Sequence, residues 1–183
     1  MGAKGRAAAI DRKPLAARLY TVVLLAGYLL ILAVNLPGHA TVDSILQLHE
    51  GRTGVRATFG PVVYARILGL FDSLLPGTAI YVAVSSLVLF AALISLRWAR
   101  GGVNWLAVPL ALALMLTPQL LIYQGIVWKD VLFANLAIAG FVTLAHAGRA
   151  WGDVKARTAW LGLTVGLFAM AILVRQNGLL ILA

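Results

Sequence analysis

Cysteine is absent from this sequence, and acidic residues are scarce, with six Asp and Glu among 183 residues. The lack of cysteine excludes disulfides, thiolate metal sites and a cysteine nucleophile. Charged residues of both signs make up only 11% of the chain, whereas soluble domains average about 25%. The chain therefore lacks the polar surface that a globular protein of its length needs in water.

Apolar residues fill the sequence instead: 62% are hydrophobic, and the mean hydropathy is +0.94. A helix crosses ~30 Å of hydrocarbon with ~20 mostly apolar residues, and long apolar runs without strand alternation predict helices. The sequence thus predicts an all-α, polytopic transmembrane helix bundle. Its five complete spans are Leu19–Pro37, Thr78–Leu96, Trp105–Tyr123, Val131–Ala147 and Ala159–Val174.

A sixth apolar run begins at Leu179, and the sequence ends at Ala183, after about a quarter of the ~20 residues that a span needs. We therefore expect the chain to be an N-terminal fragment of a longer protein. The predicted organisation is a basic tail at residues 1–18 and a transmembrane domain at residues 19–183, with an outer loop at residues 38–77. Within the third span, the sequence Thr117-Pro118-Gln119 predicts a kink.

The net charge of +9 would favour a nucleic-acid partner in a soluble protein, but in a membrane protein it follows from the positive-inside rule. Most basic residues fall in the tail and in the loops after the second and fourth spans. They are Lys4, Arg6, Arg12, Lys13, Arg18, Arg97, Arg100, Arg149, Lys155 and Arg157. We therefore predict a multi-pass protein of the cell (inner) membrane with a cytoplasmic N-terminus, and no nucleic-acid partner.

The outer loop is longer than the other connections, and its pattern predicts two interfacial helices, Thr41–Glu50 and Pro61–Leu75. Each has an apolar and a polar side at helical spacing. In the first, the polar side carries Asp43, Gln47 and Glu50.

Polar residues on the predicted outer side fall at three places. These are the first loop helix (Asp43, Gln47, Glu50), the start of the fourth span (Lys129, Asp130) and the end of the fifth span (Arg175, Asn177). Because consecutive spans are antiparallel, all three places lie at one membrane face and could converge on one cavity. Each also has a structural interpretation, as a solvated carboxylate, an interfacial ion pair or a snorkelling arginine.

Three stretches of the sequence resemble bacterial membrane glycosyltransferases of the C superfamily, the group that includes protein mannosyltransferase-like enzymes. They are DSILQLHEGRTGVRATFGP from Asp43, VWKDVLFA from Val127 and RQNGLL from Arg175. Asp43, Ser44, Gln47, Gly54 and Pro61 fit the loop pattern of this group. Gly60 stands where the group often has His, and Val42 precedes Asp43 where many members have a second acid.

The resemblance implies transfer of a sugar from a polyprenyl-phosphate carrier to a glycan, lipid or protein hydroxyl on the outer face, with inversion. It implies Asp43 as the general base and the lipid-linked sugar as donor substrate. The implied substrate-binding residues are Gln47, Glu50, Lys129, Asp130, Arg175 and Asn177. Arg175 and Lys129 are the cations available to a lipid phosphate. We predict no metal-ligand set, and dependence on a divalent metal stays open.

Two other functions compete with an enzyme: a transporter or channel component, and a non-catalytic membrane scaffold. An ion path would need ionisable groups inside the bilayer, and the central turns of the predicted spans have no acidic residue. The sequence also lacks two matching Gly- or Pro-broken spans, the typical sign of an inverted repeat.

The predicted topology can be tested by cysteine labelling, because the natural chain has no cysteine. Single cysteines at Gly54 and Trp151 should react with a membrane-impermeant maleimide from opposite sides of the membrane. Reaction of both positions from the same side would contradict the orientation.

Overall fold

The structure is a computed structural model that describes residues 13–99 and 103–175. Every regular element in these two ranges is a helix. The helices are α1 (Lys13–Asn35), α2 (Val42–Thr53), α3 (Val62–Leu74), α4 (Ala79–Ala99), α5 (Ala107–Met115), α6 (Pro118–Tyr123), α7 (Lys129–Arg149) and α8 (Val154–Val174). Residues 1–12 of the predicted tail, Asn177 and the apolar run from Leu179 lie outside the described residues.

Within the described residues, four helical segments are long and apolar enough to cross a membrane: Pro14–Asn35, Ala79–Trp98, Lys129–Arg149 and Val154–Val174. They coincide with the first, second, fourth and fifth predicted spans. Many large apolar side chains of α1, such as Val22 and Leu29, are exposed, which suits a lipid environment and not water. The predicted all-α class is confirmed, with four candidate membrane spans, whereas a count of five complete spans is not.

The third predicted span is divided into α5 and α6 at Thr117 and Pro118. Pro118 has no N–H to donate, and its ring disfavours helical backbone at the preceding residue; Thr117 is accordingly extended, with ψ 135°. The predicted kink is therefore present as a complete break.

The two short helices nevertheless follow α1 from one end to the other. Val103, just before α5, shares a buried cluster with Tyr20 near the start of α1. Midway, Met115 lies against Gly27, where an added Cβ would come within 2.3 Å of the Met115 sulfur. At the far end, Asn35 Nδ2 donates to the carbonyl of Leu121 at 2.8 Å.

Helix α7 lies at the centre of the bundle. In its most apolar stretch, 61% of the residues are buried, compared with 17% to 39% in the other three candidate spans. It packs against α4 and α8, and neutral polar contacts join it to both, as is usual between membrane helices. Thr143 contacts Thr164 of α8 at 2.8 Å, and His146 contacts Ser95 of α4 at 3.0 Å.

Helices α2 and α3 form a hairpin whose backbones touch. A Cβ added at Gly51 would lie 2.2 Å from the Ala65 carbonyl oxygen, and one added at Gly69 would lie 2.5 Å from the Gly51 oxygen. Beside this crossing, Arg52 binds Asp72 through two hydrogen bonds. The Arg52 guanidinium, together with the N–H of residue 77, lowers the pKa of Asp72 to about 2.

The hairpin covers one end of the bundle, which we call the hairpin end. Tyr64 and Leu68 of α3 are buried in a cluster with Tyr81 of α4 and Phe133 of α7. Helices therefore occur where the sequence predicted them in the loop, while their placement at a membrane interface stays a prediction.

Replacement of Gly69 by Ala should force α2 and α3 apart, because the added methyl group meets backbone that has no rotamer with which to move away. We expect a loss of about 1–3 kcal/mol, the usual cost of overpacking, seen as a lower midpoint of thermal unfolding in detergent. Gly166→Ala is the matched control, since nothing lies within 4 Å of that position. Equal midpoints for the two variants would contradict the close crossing.

Candidate functional site

Backbone pairing joins the start of the hairpin to the start of α7. The N–H of His39 donates to the Gly125 carbonyl at 2.8 Å, and the N–H of Val127 donates to the His39 carbonyl at 3.1 Å. A side-chain contact of 3.0 Å between His39 Nε2 and Asn35 Oδ1 supports the same junction. Two segments almost ninety positions apart in the chain are thereby held next to each other.

Asp43 lies at this junction, in the first turn of α2, and its side chain is exposed. Thr41 caps the helix through its side chain, and it also accepts a hydrogen bond of 3.0 Å from the indole Nε1 of Trp128. The candidate base thus stands close to the residue that precedes Lys129 and Asp130.

Asp130 and Arg175, from two of the three predicted places, form an ion pair. Arg175 Nε lies 2.8 Å from Asp130 Oδ1, and its guanidinium lies over the Phe133 ring at 5.2 Å. Lys129 is half-buried and forms no ion pair within residues 13–99 and 103–175. The structure therefore brings the start of α7 and the end of α8 together. These are two of the three places that the sequence analysis assigned to one membrane face.

Two tyrosines that the sequence analysis did not select lie next to the ion pair. Tyr81 Oη donates to the Trp128 carbonyl at 2.9 Å, and its ring contacts Tyr64 edge-on at 5.7 Å. Tyr64 is fully buried, and its hydroxyl has no hydrogen-bond partner among the described residues. Burial raises the pKa of Tyr64 well above its ordinary value, and the neighbouring Tyr81 hydroxyl and, after it, the charge of Asp130 act in the same direction. The Tyr64 hydroxyl is thus a neutral donor close to Asp130.

Gln47 and Glu50 lie within the hairpin, on the buried side of α2. Glu50 Oε1 accepts the N–H groups of Ala57, at 2.7 Å, and Thr58. Burial alone would raise the pKa of Glu50, but the N–H groups of Thr58 and Ala57 lower it below its ordinary value. The Gln47 amide lies against residue 60, which has no room for a Cβ. Both side chains support the turn, and their binding of a substrate stays a prediction.

A neutral polar cluster inside the bundle also escaped the sequence analysis. Asn135 Nδ2 donates to Gln124 Oε1 at 3.0 Å and to the Ser85 carbonyl at 2.9 Å. Gln124 Nε2 donates to Asn135 Oδ1 at 2.9 Å. The only sequence signal for this cluster was two amide side chains within or beside apolar runs.

A cavity of about 330 Å³ opens between α6 and α7 at the hairpin end. Its lining residues are Gln119, Tyr123, Gln124, Trp128, Asp130, Val131 and Ala134. Another cavity, of about 470 Å³, lies toward the opposite end between α1, α4 and α5, and no predicted site residue lines it. The cavity at the hairpin end adjoins the candidate site, since Asp130 lines it.

No protein-family model, curated protein or solved structure matches this chain. A function is therefore inferred from the geometry of the hairpin end together with the motifs of the sequence.

Glu50→Gln should loosen the turn between α2 and α3, because Ala57 and Thr58 would lose a charged acceptor. At neutral pH we expect exchange of their amide hydrogens to be about tenfold faster or more, since bonds to charged groups are among the stronger ones. In the natural chain this protection is complete above the unfolded pKa of ~4.3. It should be lost as the pH falls through the lower folded pKa.

Hydrogen exchange with mass spectrometry measures both effects. The control is Asp153→Asn, which alters a carboxylate that accepts two N–H bonds at the start of α8 and should leave the turn unchanged. Unaltered exchange at Ala57 and Thr58 in Glu50→Gln would contradict this role of Glu50.

Proposed function

We propose that this protein transfers a sugar from a polyprenyl-phosphate carrier to an acceptor hydroxyl at the outer membrane face, with inversion. The observation that supports this best is the meeting of three separate segments at the hairpin end. An exposed carboxylate (Asp43) lies in the first turn of α2, and an Asp130–Arg175 ion pair joins the start of α7 to the end of α8. Lys129, beside this pair, has no ion-pair partner among the described residues. These are a base and two cations, the groups that such a transfer requires.

The proposed topology has five crossings and a cytoplasmic N-terminus in the cell membrane. Helices α1, α4, α7 and α8 provide four crossings, and α5 with α6 provides a broken fifth, because the pair follows the whole length of α1. The hairpin end then faces outward, and the basic residues of the connections after α4 and α7 lie on the cytoplasmic side.

The reaction is a single displacement at the anomeric carbon. The acceptor oxygen forms a bond to that carbon while the bond from the carbon to the phosphate oxygen breaks, and the lipid phosphate leaves with the electron pair. Asp43 takes the proton of the acceptor hydroxyl, which requires an approach of about 3 Å.

The leaving phosphate gains negative charge, so positive charge nearby stabilises the transition state. Arg175 and Lys129 carry the two positive charges of the site, and Asp43 and Asp130 carry two negative charges. The two cations are therefore the groups that would face the phosphate. Arg175 suits phosphate oxygens through its planar fork, and Asp130 holds the guanidinium over Phe133 until the donor arrives.

An ion path has less support within the described residues. The side chains of the buried cluster inside the bundle, Gln124, Asn135 and Ser85, are neutral and bonded to one another or to backbone. A transport site for ions would be expected to hold ionisable groups there.

Asp43→Asn should lower transfer by ~10²–10⁴-fold, the usual contribution of a general base, because the variant keeps the shape of the side chain and removes its basicity. The assay follows label from polyprenyl-phosphate hexoses into product in membranes that contain the native protein. Asp153→Asn is the control, since it changes a carboxylate outside the candidate site and Asn caps helices as well as Asp does. Equal rates for Asp43→Asn and the natural protein would remove Asp43 from the mechanism.

A further inference from the structure

The cavity between α6 and α7 has a lining of unusual chemistry for a membrane protein surface. Two aromatic rings, Tyr123 and Trp128, two amides, Gln119 and Gln124, and one carboxylate, Asp130, surround it, and small apolar side chains complete the wall. Among the residues that the structure describes, no Lys, Arg or His lines it. Its volume of about 330 Å³ lies within the ~300–1,000 Å³ range of small-molecule sites, which are typically apolar with a few placed polar groups.

This lining matches a sugar ring better than an anion or a purely apolar chain. A pyranose offers C–H faces, which pack on aromatic rings, and hydroxyl groups around its edge. A carboxylate accepts hydrogen bonds from hydroxyls, and amides both donate and accept. A phosphate would instead require a cation in the lining.

Three of the polar and aromatic groups are already held in position. The Trp128 indole is bonded to Thr41 at 3.0 Å, and Gln124 is bonded to Asn135. Arg175 engages Oδ1 of Asp130, and no hydrogen bond within the described residues occupies Oδ2. A site whose groups are positioned before binding loses less entropy when the ligand arrives.

The surroundings of the cavity indicate that its ligand is attached to a lipid. Leu116 and Ile122, which flank Gln119 on either side along the chain, are more than half exposed. Such side chains contact hydrocarbon in a membrane, so an acyl or prenyl chain could lie beside α6 while its head group enters the cavity.

We propose that this cavity binds the neutral, hydroxyl-rich sugar head group of a lipid, with Trp128 as the stacking surface and Gln119, Gln124 and Asp130 as hydrogen-bond partners. The inference rests on the proposed function, because it assigns the place of the donor sugar. The sugar would lie in the cavity and its phosphate would lie outside, toward Arg175 and Lys129. The bond from Trp128 to Thr41 connects this cavity to the first turn of α2, which carries Asp43.

Native mass spectrometry of the full chain from lipid nanodiscs tests this binding with three probes. They are a polyprenyl-phosphate-linked hexose, a neutral hexosyl diacylglycerol and sugar-free polyprenyl phosphate, with glucose and mannose used in turn for the first two. Trp128→Ala should weaken binding of both sugar lipids by roughly 5- to 10-fold, as expected for a lost aromatic contact. It should leave sugar-free polyprenyl phosphate unchanged.

Two further variants separate binding from folding. Trp128→Phe keeps a ring while it removes the bond to Thr41, so it should retain most of the affinity. Gln119→Leu alters an exposed side chain and should weaken both sugar lipids without a change in unfolding temperature. Trp105→Ala is the matched control, because Trp105 is 40% exposed against 38% for Trp128 and lies outside the cavity.

Each outcome decides the proposal. The proposal would be overturned if the sugar lipids bound the natural chain, Trp128→Ala and Gln119→Leu with equal affinity. It would also be overturned if Trp128→Ala weakened binding of sugar-free polyprenyl phosphate as much as binding of the sugar lipids. A loss confined to the neutral glycolipid, with no sugar-dependent binding of the phosphate-linked hexose, would support the sugar site and contradict the proposed transfer. Sugar-dependent binding that persists in Asp43→Asn supports the site independently of catalysis.

Discussion

Lipid offers no hydrogen bonds, so the polar groups inside this bundle must be satisfied by the chain itself. The end of α6 shows how far this constraint reaches. Helix α6 ends at Tyr123, so the Leu121 carbonyl lies in its last turn, where no later N–H of the helix donates to it. The Asn35 amide donates to this carbonyl at 2.8 Å. The end of α6 is thereby bonded to the end of α1, more than eighty residues earlier in the chain.

The same requirement assembles the hairpin end. Residues that follow α6 are not helical, and their backbone groups pair with His39 instead. This pairing sets the start of α2 beside the start of α7, and Trp128 completes the junction through Thr41. The candidate base, the ion pair and the cavity between α6 and α7 meet here because an interrupted span needed partners for its backbone.

At the hairpin end, the ion pair and the neutral polar groups lie on different sides of Asp130. Asp130 binds Arg175, and it also lines a cavity in which no other described residue is charged. A sugar phosphate has the same division, with a neutral ring and an anionic group. The fully buried Tyr64 hydroxyl, which has no partner among the described residues, adds a neutral donor beside this boundary.

The sequence by itself determined the long apolar helices, a kink at Thr117 and Pro118, the helical loop and the position of Asp130 and Arg175 at one end of their spans. These follow from hydrophobic length, proline chemistry and the antiparallel order of spans, which are all local or one-dimensional. Only the tertiary structure decided which side of α2 is buried. Because Gly51 and Gly69 let α2 and α3 touch, Gln47 and Glu50 turn inward and hold the hairpin, while Val42 and Ile45 remain exposed. The cavity likewise depends on side chains from two helices. The periodicity of a single helix does not predict how far it lies from another helix.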